Sequence, residues 1–253
     1  MNLKIAGLNL DIIWKEKEEN FALIEKELAD IEADILLLPE MFATGFCMDA
    51  AEIADREEET LTWMKSFARK KKAAVAGTAA VKVADKFYNR FYFAEPNGST
   101  HAYDKRHLFT YSGEDKTYNP GSERTIVNYR GWRILLQTCY DLRFPVFSRN
   151  NNAYDAALYV ANWPSTRVDA WTTLLKARAI ENQAYVFGLN RIGTDGNGLH
   201  YPPSSFCFAA DGADISNVNN NIVSAKLEFE PLEKYRTRFP FLGDADAFSL
   251  DET

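Results

Sequence analysis

Asp34-Ile35-Leu36-Leu37-Leu38-Pro39-Glu40 is a short apolar run that stops at a proline. It lies between residues 15–32 and 57–72, where apolar residues recur at helical spacing. Short apolar runs between amphipathic helices are typical of strands that are covered on both faces. The run therefore predicts a mixed α/β domain in which helices pack on the faces of a sheet.

The rest of the chain continues this alternation. We predict further helices from Pro145, at residues 168–183 and at 231–238, and strands at 3–10, 73–83, 87–95, 99–104, 132–139, 156–161, 185–192, 204–209 and 221–228. Asn97-Gly98 predicts a hairpin turn. Residues 105–131 are predicted to be a long functional loop, because they begin with charged and aromatic residues. Residues 1–253 are expected to form one domain, with residues 239–253 as an irregular tail.

Composition narrows the class of protein. With 253 residues, 46% of them hydrophobic, the chain can bury one large core. A net charge of −7 without a basic stripe predicts no nucleic-acid partner. The sequence has no signal-peptide pattern and no apolar run near the ~20 residues of a membrane span, so no membrane association is expected. Three cysteines without metal-ligand or CxxC spacing favour the reducing cytoplasm and predict no metal site.

Three polar side chains lie where apolar strands are predicted to end. Glu40 ends the run that begins at Asp34, Lys105 follows Tyr103 and Asp104, and Cys139 ends the strand from residue 132. Ligands of α/β proteins gather at the carboxyl ends of strands. We therefore expect an acid, an amine and a thiol to meet in one site.

Together these groups could carry out acyl transfer without a histidine. A free thiol has a pKa near about 8.5, so Cys139 needs a neighbour that takes its proton. The Glu40 carboxylate could accept that proton and deliver it to a leaving amine. The Lys105 ammonium and the Tyr140 N–H could stabilise the oxyanion formed when the thiolate attacks a carbonyl.

Each residue also has an ordinary structural explanation. A cysteine at the end of an apolar strand is usually a small buried hydrophobic residue. A glutamate after a strand is usually solvated or caps a helix, and Lys105 could be a charged loop residue. The residues alone therefore leave a structural role open at all three positions.

The segments around these residues make the chain resemble the nitrilase superfamily of carbon–nitrogen hydrolases. The matching segments, in the family's order, are Leu37-Leu38-Pro39-Glu40-Met41-Phe42, Tyr103-Asp104-Lys105-Arg106-His107-Leu108-Phe109, Cys139-Tyr140-Asp141-Leu142-Arg143-Phe144-Pro145, Ala177-Arg178-Ala179-Ile180-Glu181-Asn182-Gln183 and Asn190-Arg191-Ile192-Gly193. The resemblance implies an α-β-β-α sandwich, commonly a homodimer, that requires no cofactor. It also implies that Glu40 is the general base, Lys105 the oxyanion-stabilising lysine and Cys139 the nucleophile.

Members of this family carry a second glutamate near the catalytic lysine. Glu114 fits that position, seven residues before Gly121, and the neighbouring Asp115 is the alternative. The structural alternative for Glu114 is a solvated charge in the loop.

The segments Ala161-Asn162-Trp163-Pro164 and Asp195-Gly196-Asn197-Gly198 look like the omega-amidase branch. The resemblance implies hydrolysis of the terminal amide of 2-oxo dicarboxylate monoamides, such as 2-oxoglutaramate and 2-oxosuccinamate. A small anionic substrate needs a cation at its far end, for which Arg143 and Arg167 are candidates. Arg143 could instead have a structural role and pair with Asp141 or another acid. Aromatic candidates for the pocket wall, each of which could equally belong to the core, are Phe42, Phe46 and Trp163.

Two other functions stay open from the sequence. Another hydrolase of the same superfamily, such as a carbamoylase, an aliphatic amidase or a nitrilase, would keep the mechanism and change the acyl group. A non-catalytic protein of the same fold could use Cys139 as a redox sensor, although the presence of all three reactive residues disfavours it.

Overall fold

Two β-sheets face each other in the computed structural model, which describes residues 1–250. The strands are β1 (Asn2–Leu8), β2 (Ile35–Leu37), β3 (Ala74–Val83), β4 (Lys86–Ala94), β5 (Thr100–Asp104), β6 (Ile126–Tyr129), β7 (Trp132–Thr138), β8 (Ala156–Ala161), β9 (Tyr185–Asn190), β10 (Gly193–Thr194), β11 (His200–Tyr201), β12 (Phe206–Phe208), β13 (Asn217–Asn219) and β14 (Ile222–Glu228). The helices are α1 (Lys17–Glu27), α2 (Ala50–Ile53), α3 (Glu59–Lys71), α4 (Pro145–Ser148), α5 (Val168–Asn182) and α6 (Phe229–Arg238).

The strand order brings the ends of several strands to one edge. The larger sheet has the order β13-β14-β1-β2-β3-β4-β5, the smaller sheet has the order β12-β9-β8-β7-β6, and β10 pairs only with β11. Strands β1, β2 and β3 run parallel, as do β7, β8 and β9. The carboxyl ends of parallel neighbours lie side by side, which is where α/β proteins build their sites.

Burial of alternating side chains on opposite faces creates the layers. In β2, Ile35 and Leu37 face the core between the sheets, whereas Leu36 faces the core beneath α1 and α3. On the smaller sheet, α5 covers the outer face with Trp171 and Leu175. Full burial of each such side chain contributes about 1.5–3 kcal/mol. The predicted single-domain α-β-β-α sandwich is confirmed.

The sequence placed most elements within a few residues of their observed bounds. Asn97-Gly98 forms the predicted hairpin turn between β4 and β5. The helix predicted over 15–32 is shorter, because α1 ends at Glu27 and the chain then turns toward β2. Residues 105–131 are less irregular than predicted, since they contain β6 and two 3-10 turns, Thr110–Ser112 and Glu114–Lys116.

The end of the chain runs beyond α6. A 3-10 turn covers Phe241–Asp244, and residues 245–250 have no regular structure. The last three residues of the predicted tail, 251–253, lie outside the described residues. Among the helices of residues 1–250, none has the length and apolar character needed to cross a membrane.

Candidate active site

Glu40 and Lys105 meet in the interior, as their positions after two strands of the larger sheet predict. Glu40 follows β2, Lys105 follows β5, and both side chains are fully buried. The Lys105 Nζ lies 2.9 Å from Glu40 Oε1. A buried ion pair of this kind is held by its charge and by the lack of competing water.

Glu114 joins the same cluster from the 3-10 turn Glu114–Lys116. Its Oε2 lies 2.8 Å from Lys105 Nζ, and its Oε1 lies 3.0 Å from the same atom. The N–H of Phe109 donates to Glu114 Oε2 at 2.6 Å, which fixes the carboxylate against the chain that follows Lys105. Asp115, the alternative from the sequence, is exposed to solvent. The lysine is therefore held between two buried carboxylates.

Cys139 comes to this cluster from the smaller sheet. It directly follows β7 and begins the 3-10 turn Cys139–Arg143, with a left-handed backbone φ of 45°. Its Sγ lies 3.9 Å from the carbonyl oxygen of Asn162. The first N–H groups of a helical turn have no partner within the turn, so the N–H of Tyr140 is suited to bind an oxyanion.

Asp141 fixes the turn that presents Cys139. Its carboxylate accepts hydrogen bonds from the N–H of Thr138 at 2.9 Å and from the Tyr103 hydroxyl at 2.7 Å. The backbone N–H of His107 donates to the same carboxylate at 3.0 Å, and the His107 ring nitrogen Nδ1 lies 2.8 Å from it. Because Tyr103 and His107 flank Lys105 in sequence, Asp141 connects the turn that begins at Cys139 to the segment that carries the lysine.

Burial and charge set the protonation states in this cluster. Burial raises the pKa of the Cys139 thiol well above its usual value, and the Glu40 carboxylate raises it further while Lys105 opposes both. Burial alone would lower the pKa of Lys105, but Glu114 and Glu40 outweigh it and raise that pKa. Burial and the Glu40 charge raise the pKa of Glu114 against the effect of Lys105. The resting site thus contains a charged lysine and a protonated thiol that needs a base.

Two asparagines that the sequence analysis did not select complete the cluster. Asn162 follows β8, and its backbone N–H donates to Glu40 Oε2 at 2.9 Å while its side-chain amide donates to the Glu40 carbonyl at 2.6 Å. Asn89 lies within β4 and donates to both carboxylates. The sequence did contain a signal for each asparagine. Asn162 lies at the end of a strand, and Asn89 is a polar residue inside a mostly apolar strand.

A cavity of about 290 Å³ opens above the thiol. Its walls combine aromatic rings with a few polar groups, and the lining residues that matter for chemistry are Phe46, Phe109, Cys139, Tyr140, Arg143, Asn162, Trp163, Arg167, Asp195 and Tyr201. A pocket of this size suits a small molecule rather than a polymer.

Among residues 1–250, no group of three or more His, Cys, Asp or Glu side chains is placed to hold a metal ion.

Two arginines supply positive charge to this cavity. The Arg143 guanidinium lies 5.0 Å from the centre of the Trp163 ring, and that of Arg167 lies 5.2 Å from the centre of the Phe109 ring. Within the described chain, 1–250, neither guanidinium forms a salt bridge with a carboxylate. The alternative pairing of Arg143 with Asp141 is wrong, because Asp141 is occupied by Tyr103, His107 and a backbone N–H.

The expectation that Phe42 lines the pocket is also wrong. Its side chain is fully buried beneath the helices of the larger sheet, with its ring centre 6.3 Å from that of Phe21 and 5.7 Å from that of Trp63. Met41 precedes it with a left-handed φ of 48°, which turns the chain directly after Glu40. Phe46 and Trp163 do line the cavity, as expected.

Comparison with known proteins places this site in a family. The sequence profile described as Carbon-nitrogen hydrolase matches residues 4–236. The chain therefore belongs to the carbon–nitrogen hydrolase family.

Its relatives include omega-amidases. The chain is 46% identical to the omega-amidase YafV of Yersinia enterocolitica, with 98% of each chain covered. It is 32% identical to a 2-oxoglutaramate amidase of Bacillus subtilis, covering 96% of this chain and 98% of that protein. A crystal structure of a CN-hydrolase superfamily protein from Xanthomonas campestris, with an arsenic adduct in its active site, superimposes with a TM-score of 0.96 at 36% identity, covering 99% of this chain and 100% of that one.

Proposed function

We propose that this chain is an omega-amidase that hydrolyses the terminal amide of 2-oxo dicarboxylate monoamides, such as 2-oxoglutaramate and 2-oxosuccinamate. The products are the 2-oxo acid and ammonia. The observation that carries the proposal is the convergence of Cys139 with Lys105 and two buried carboxylates at the floor of a cavity that also holds two arginines without acidic partners. The names of the relatives, omega-amidase and 2-oxoglutaramate amidase, support the same substrate class.

The first half of the reaction forms a thioester. Glu40 takes the proton of the Cys139 thiol, and the thiolate attacks the amide carbon. Lys105 and the N–H of Tyr140 stabilise the oxyanion of the tetrahedral intermediate. Glu40 then returns the proton to the amide nitrogen, the carbon–nitrogen bond breaks, and ammonia leaves.

The second half hydrolyses the thioester. Glu40 accepts a proton from a water molecule, and the resulting hydroxide attacks the thioester carbonyl, again with Lys105 stabilising the oxyanion. The carbon–sulfur bond breaks, and the Cys139 thiolate recovers its proton from Glu40. The 2-oxo acid is released and the site returns to its resting state.

The two cavity arginines are proposed to bind the distal carboxylate of the substrate. Guanidinium groups bind carboxylates through paired N–H donors, and aromatic rings beneath them hold their planes in place. Trp163 and Phe109 provide those rings for Arg143 and Arg167. Phe46 and Trp163 are proposed to pack against the carbon chain of the substrate.

A substrate panel tests the proposed specificity. Ammonia release is measured with 2-oxoglutaramate, 2-oxosuccinamate and a neutral aliphatic amide of similar length. We expect kcat/KM for the two acids to exceed that for the neutral amide by about tenfold or more, because a charge-assisted hydrogen bond contributes about 1.5–3 kcal/mol. Equal turnover of the neutral amide would reject the omega-amidase assignment.

Arginine variants test the carboxylate site. Arg143→Met and Arg167→Met are expected to raise KM for 2-oxoglutaramate about tenfold or more and to leave turnover of the neutral amide nearly unchanged. Arg130→Met serves as a matched control, because Arg130 pairs with Asp34, outside the set of residues that line the cavity. If the neutral amide loses as much activity as the acid, the arginines have a structural role.

Mass spectrometry tests the covalent step. Protein quenched during turnover should carry an acyl adduct on the peptide that contains Cys139. An adduct confined to Cys47 or Cys207 would contradict the mechanism.

We also propose that the protein is a homodimer in the cytoplasm. Sedimentation tests the oligomeric state, and cell fractionation tests the location.

A further inference from the structure

Asn89 contacts three members of the catalytic cluster from a position within β4. Its Nδ2 donates to Glu40 Oε1 at 2.8 Å and to Glu114 Oε1 at 3.2 Å. Its backbone carbonyl accepts the N–H of Lys105 at 3.0 Å. One residue therefore bridges the two carboxylates with its side chain and fixes the backbone of the lysine that lies between them.

The physical reason for such a bridge is the excess of negative charge. Two buried carboxylates share one ammonium, so their mutual repulsion favours the uptake of a proton. The two hydrogens of a primary amide can each be donated to a different carboxylate, and donation to a charged acceptor favours its ionised form. Asn89 can thus stabilise both negative charges without adding a positive charge that would compete with Lys105.

A purely structural role does not explain this residue. Asparagine is disfavoured in strand interiors, and Asn89 is fully buried in a strand whose neighbours are mostly apolar or aromatic. Its Oδ1 is buried without a hydrogen-bond partner among residues 1–250. Leaving a buried carbonyl unsatisfied costs about 1–3 kcal/mol. The side chain is thus placed for its donors, both of which point to the site.

We propose that Asn89 is a positioning residue whose amide holds Glu40 and Glu114 in one arrangement around Lys105 and favours the ionised form of this pair of carboxylates. The inference rests on the proposed function, in which Glu40 must be ionised to act as the base. Tightly coupled carboxylates titrate as a pair, so the proposal concerns the pair rather than either residue alone.

The titratable groups around Asn89 are few. Asn89 itself contacts Glu40, Glu114 and Lys105, and the described titratable groups that interact with this cluster in turn are Cys139 after β7 and Tyr118. Burial, reinforced by the neighbouring negative charges, raises the pKa of Tyr118, and its hydroxyl donates to the Cys47 carbonyl. Tyr118 and the thiol are thus neutral near pH 7, so the acid limb of a pH profile reports the carboxylate pair.

A pair of variants that differ by one donor tests the proposal. Asn89→Val removes both donors, whereas Asn89→Thr has nearly the same shape and keeps one hydroxyl donor. Both residues suit a strand, which reduces the risk of misfolding. Asn150→Val is the matched control, because Asn150 is equally buried but bonds to Asn182 and the Tyr154 carbonyl, away from the carboxylates.

Two pH profiles are measured for each protein. The first is kcat/KM for ammonia release from 2-oxoglutaramate. The second is the rate at which iodoacetamide alkylates Cys139, followed by mass spectrometry, which needs no assumption about the natural substrate. If wild-type protein alkylates at Cys139 but releases no ammonia, the substrate assignment fails and the second profile still tests Asn89.

We expect the acid limb of both profiles to move to higher pH by about one unit in Asn89→Val and by less in Asn89→Thr, because each lost donor had favoured the ionised pair. At the pH optimum, kcat should fall about tenfold to a hundredfold in Asn89→Val while KM changes by less than about threefold. Asn150→Val should lower the melting temperature without moving either profile.

Two results would overturn the proposal. One is an unchanged acid limb in folded Asn89→Val, or in folded Asn89→Thr if the valine variant does not fold. The other is an equal shift in Asn150→Val, which would show that the profile responds to general destabilisation.

Discussion

Cys139, the proposed nucleophile, occupies a backbone conformation that its own residue type disfavours. Cys139 has a φ of 45°, in the left-handed region where the β-carbon of an L-residue crowds the following carbonyl. Such strain is kept at functional positions when the surrounding structure holds it in place. Here the Asp141 carboxylate anchors the turn by accepting the N–H of Thr138, the residue before Cys139.

Substitutions of Cys139 can distinguish the backbone strain at this residue from the chemical role of its thiol. Cys139→Gly and Cys139→Ala should both abolish amide hydrolysis, but Cys139→Gly should be more stable by about 1 kcal/mol because glycine adopts the left-handed region freely. Urea denaturation measures the difference. Equal stabilities would show that the backbone at residue 139 is not strained.

The charge of Glu40 should be visible in the titration of the thiol. Burial and then the Glu40 carboxylate raise the pKa of Cys139, and Glu114 has a smaller effect in the same direction. Glu40→Gln should therefore lower the pH at which Cys139 forms a thiolate, while burial keeps that pH above the usual range. The thiolate absorbance of a Cys47→Ser, Cys207→Ser background measures this pH.

Glu114→Gln is the matched control for that titration. It removes an equally buried carboxylate whose effect on the pKa of the Cys139 thiol is smaller than that of Glu40 or Lys105. A larger shift in Glu114→Gln than in Glu40→Gln would contradict the arrangement described here.

At the scale of single elements, the sequence predicted the reactive residues of the site more accurately than the residues of the pocket wall. The rule that functional groups follow strands marked Glu40, Lys105 and Cys139 as candidates, because apolar runs and their polar ends are visible in the sequence, but only the family resemblance implied their roles. Asn89 was missed because a polar residue within a strand shows no partner until the other chain segments are in place. Phe42 was assigned to the wrong side because the turn at Met41 depends on backbone torsion, which adjacent residue types do not reveal.

The strand β6 was missed for a similar reason. It spans only Ile126–Tyr129 and pairs with β7 through a turn at Arg130 and Gly131, whose φ values are 49° and 81°. Two left-handed residues in succession define the tight hairpin turn that asparagine–glycine usually signals. Arginine at the first position conceals the turn, so the sequence predicted a continuous loop.

Trp14 contacts two loops that both contribute residues to the pocket wall. A β-carbon added to Gly45 would lie 2.7 Å from the Trp14 ring, and one added to Gly196 would lie 2.4 Å from it. The indole therefore packs against the backbone of both loops. Phe46 and Met48 line the cavity from the first loop, and Asp195 and Tyr201 line it from the hairpin of β10 and β11.

Loosening this contact should weaken substrate binding more than catalysis. Gly196→Ala, which forces the indole to move, and Trp14→Ala should each raise KM several-fold with a smaller change in kcat. Steady-state ammonia release measures both constants. Gly243→Ala is the control, since a β-carbon there meets no atom within 4 Å. A loss confined to kcat would place the effect at the catalytic cluster instead.

At the scale of the whole molecule, an ion-pair network fastens the last helix to the smaller sheet. Asp155, which is almost fully buried, binds Arg133 at 2.7 Å and Arg236 of α6 at 2.9 Å. Burial alone would raise the pKa of Asp155, but the two guanidinium groups outweigh it and lower that pKa. Arg236 also donates to the carbonyls of Gln183 and Tyr154, so it connects α6 to the segments that precede β9 and β8.

The lowered pKa of Asp155 determines how the stabilisation from this ion-pair network depends on pH. A depressed carboxyl pKa stabilises the fold above the unfolded pKa of about 3.9, and this stabilisation is lost as pH falls through the folded value. Arg236→Met should therefore lower the free energy of unfolding by about 2 kcal/mol at pH 7 and by less near pH 3, where the hydrogen bonds of Arg236 to the two carbonyls still contribute. Arg238→Met, an exposed neighbour, should have little effect at either pH. Urea denaturation at both pH values measures the differences.

The catalytic cluster draws its members from both sheets, and this has a consequence for dividing the chain. A cut at the turn between Arg130 and Gly131 would leave Glu40, Lys105 and Glu114 on one fragment and Cys139 on the other. Strand β6 of the first fragment pairs with β7 of the second, and β14 of the second pairs with β1 of the first. Neither piece could hydrolyse an amide alone, so ammonia release would act as a reporter of fragment complementation.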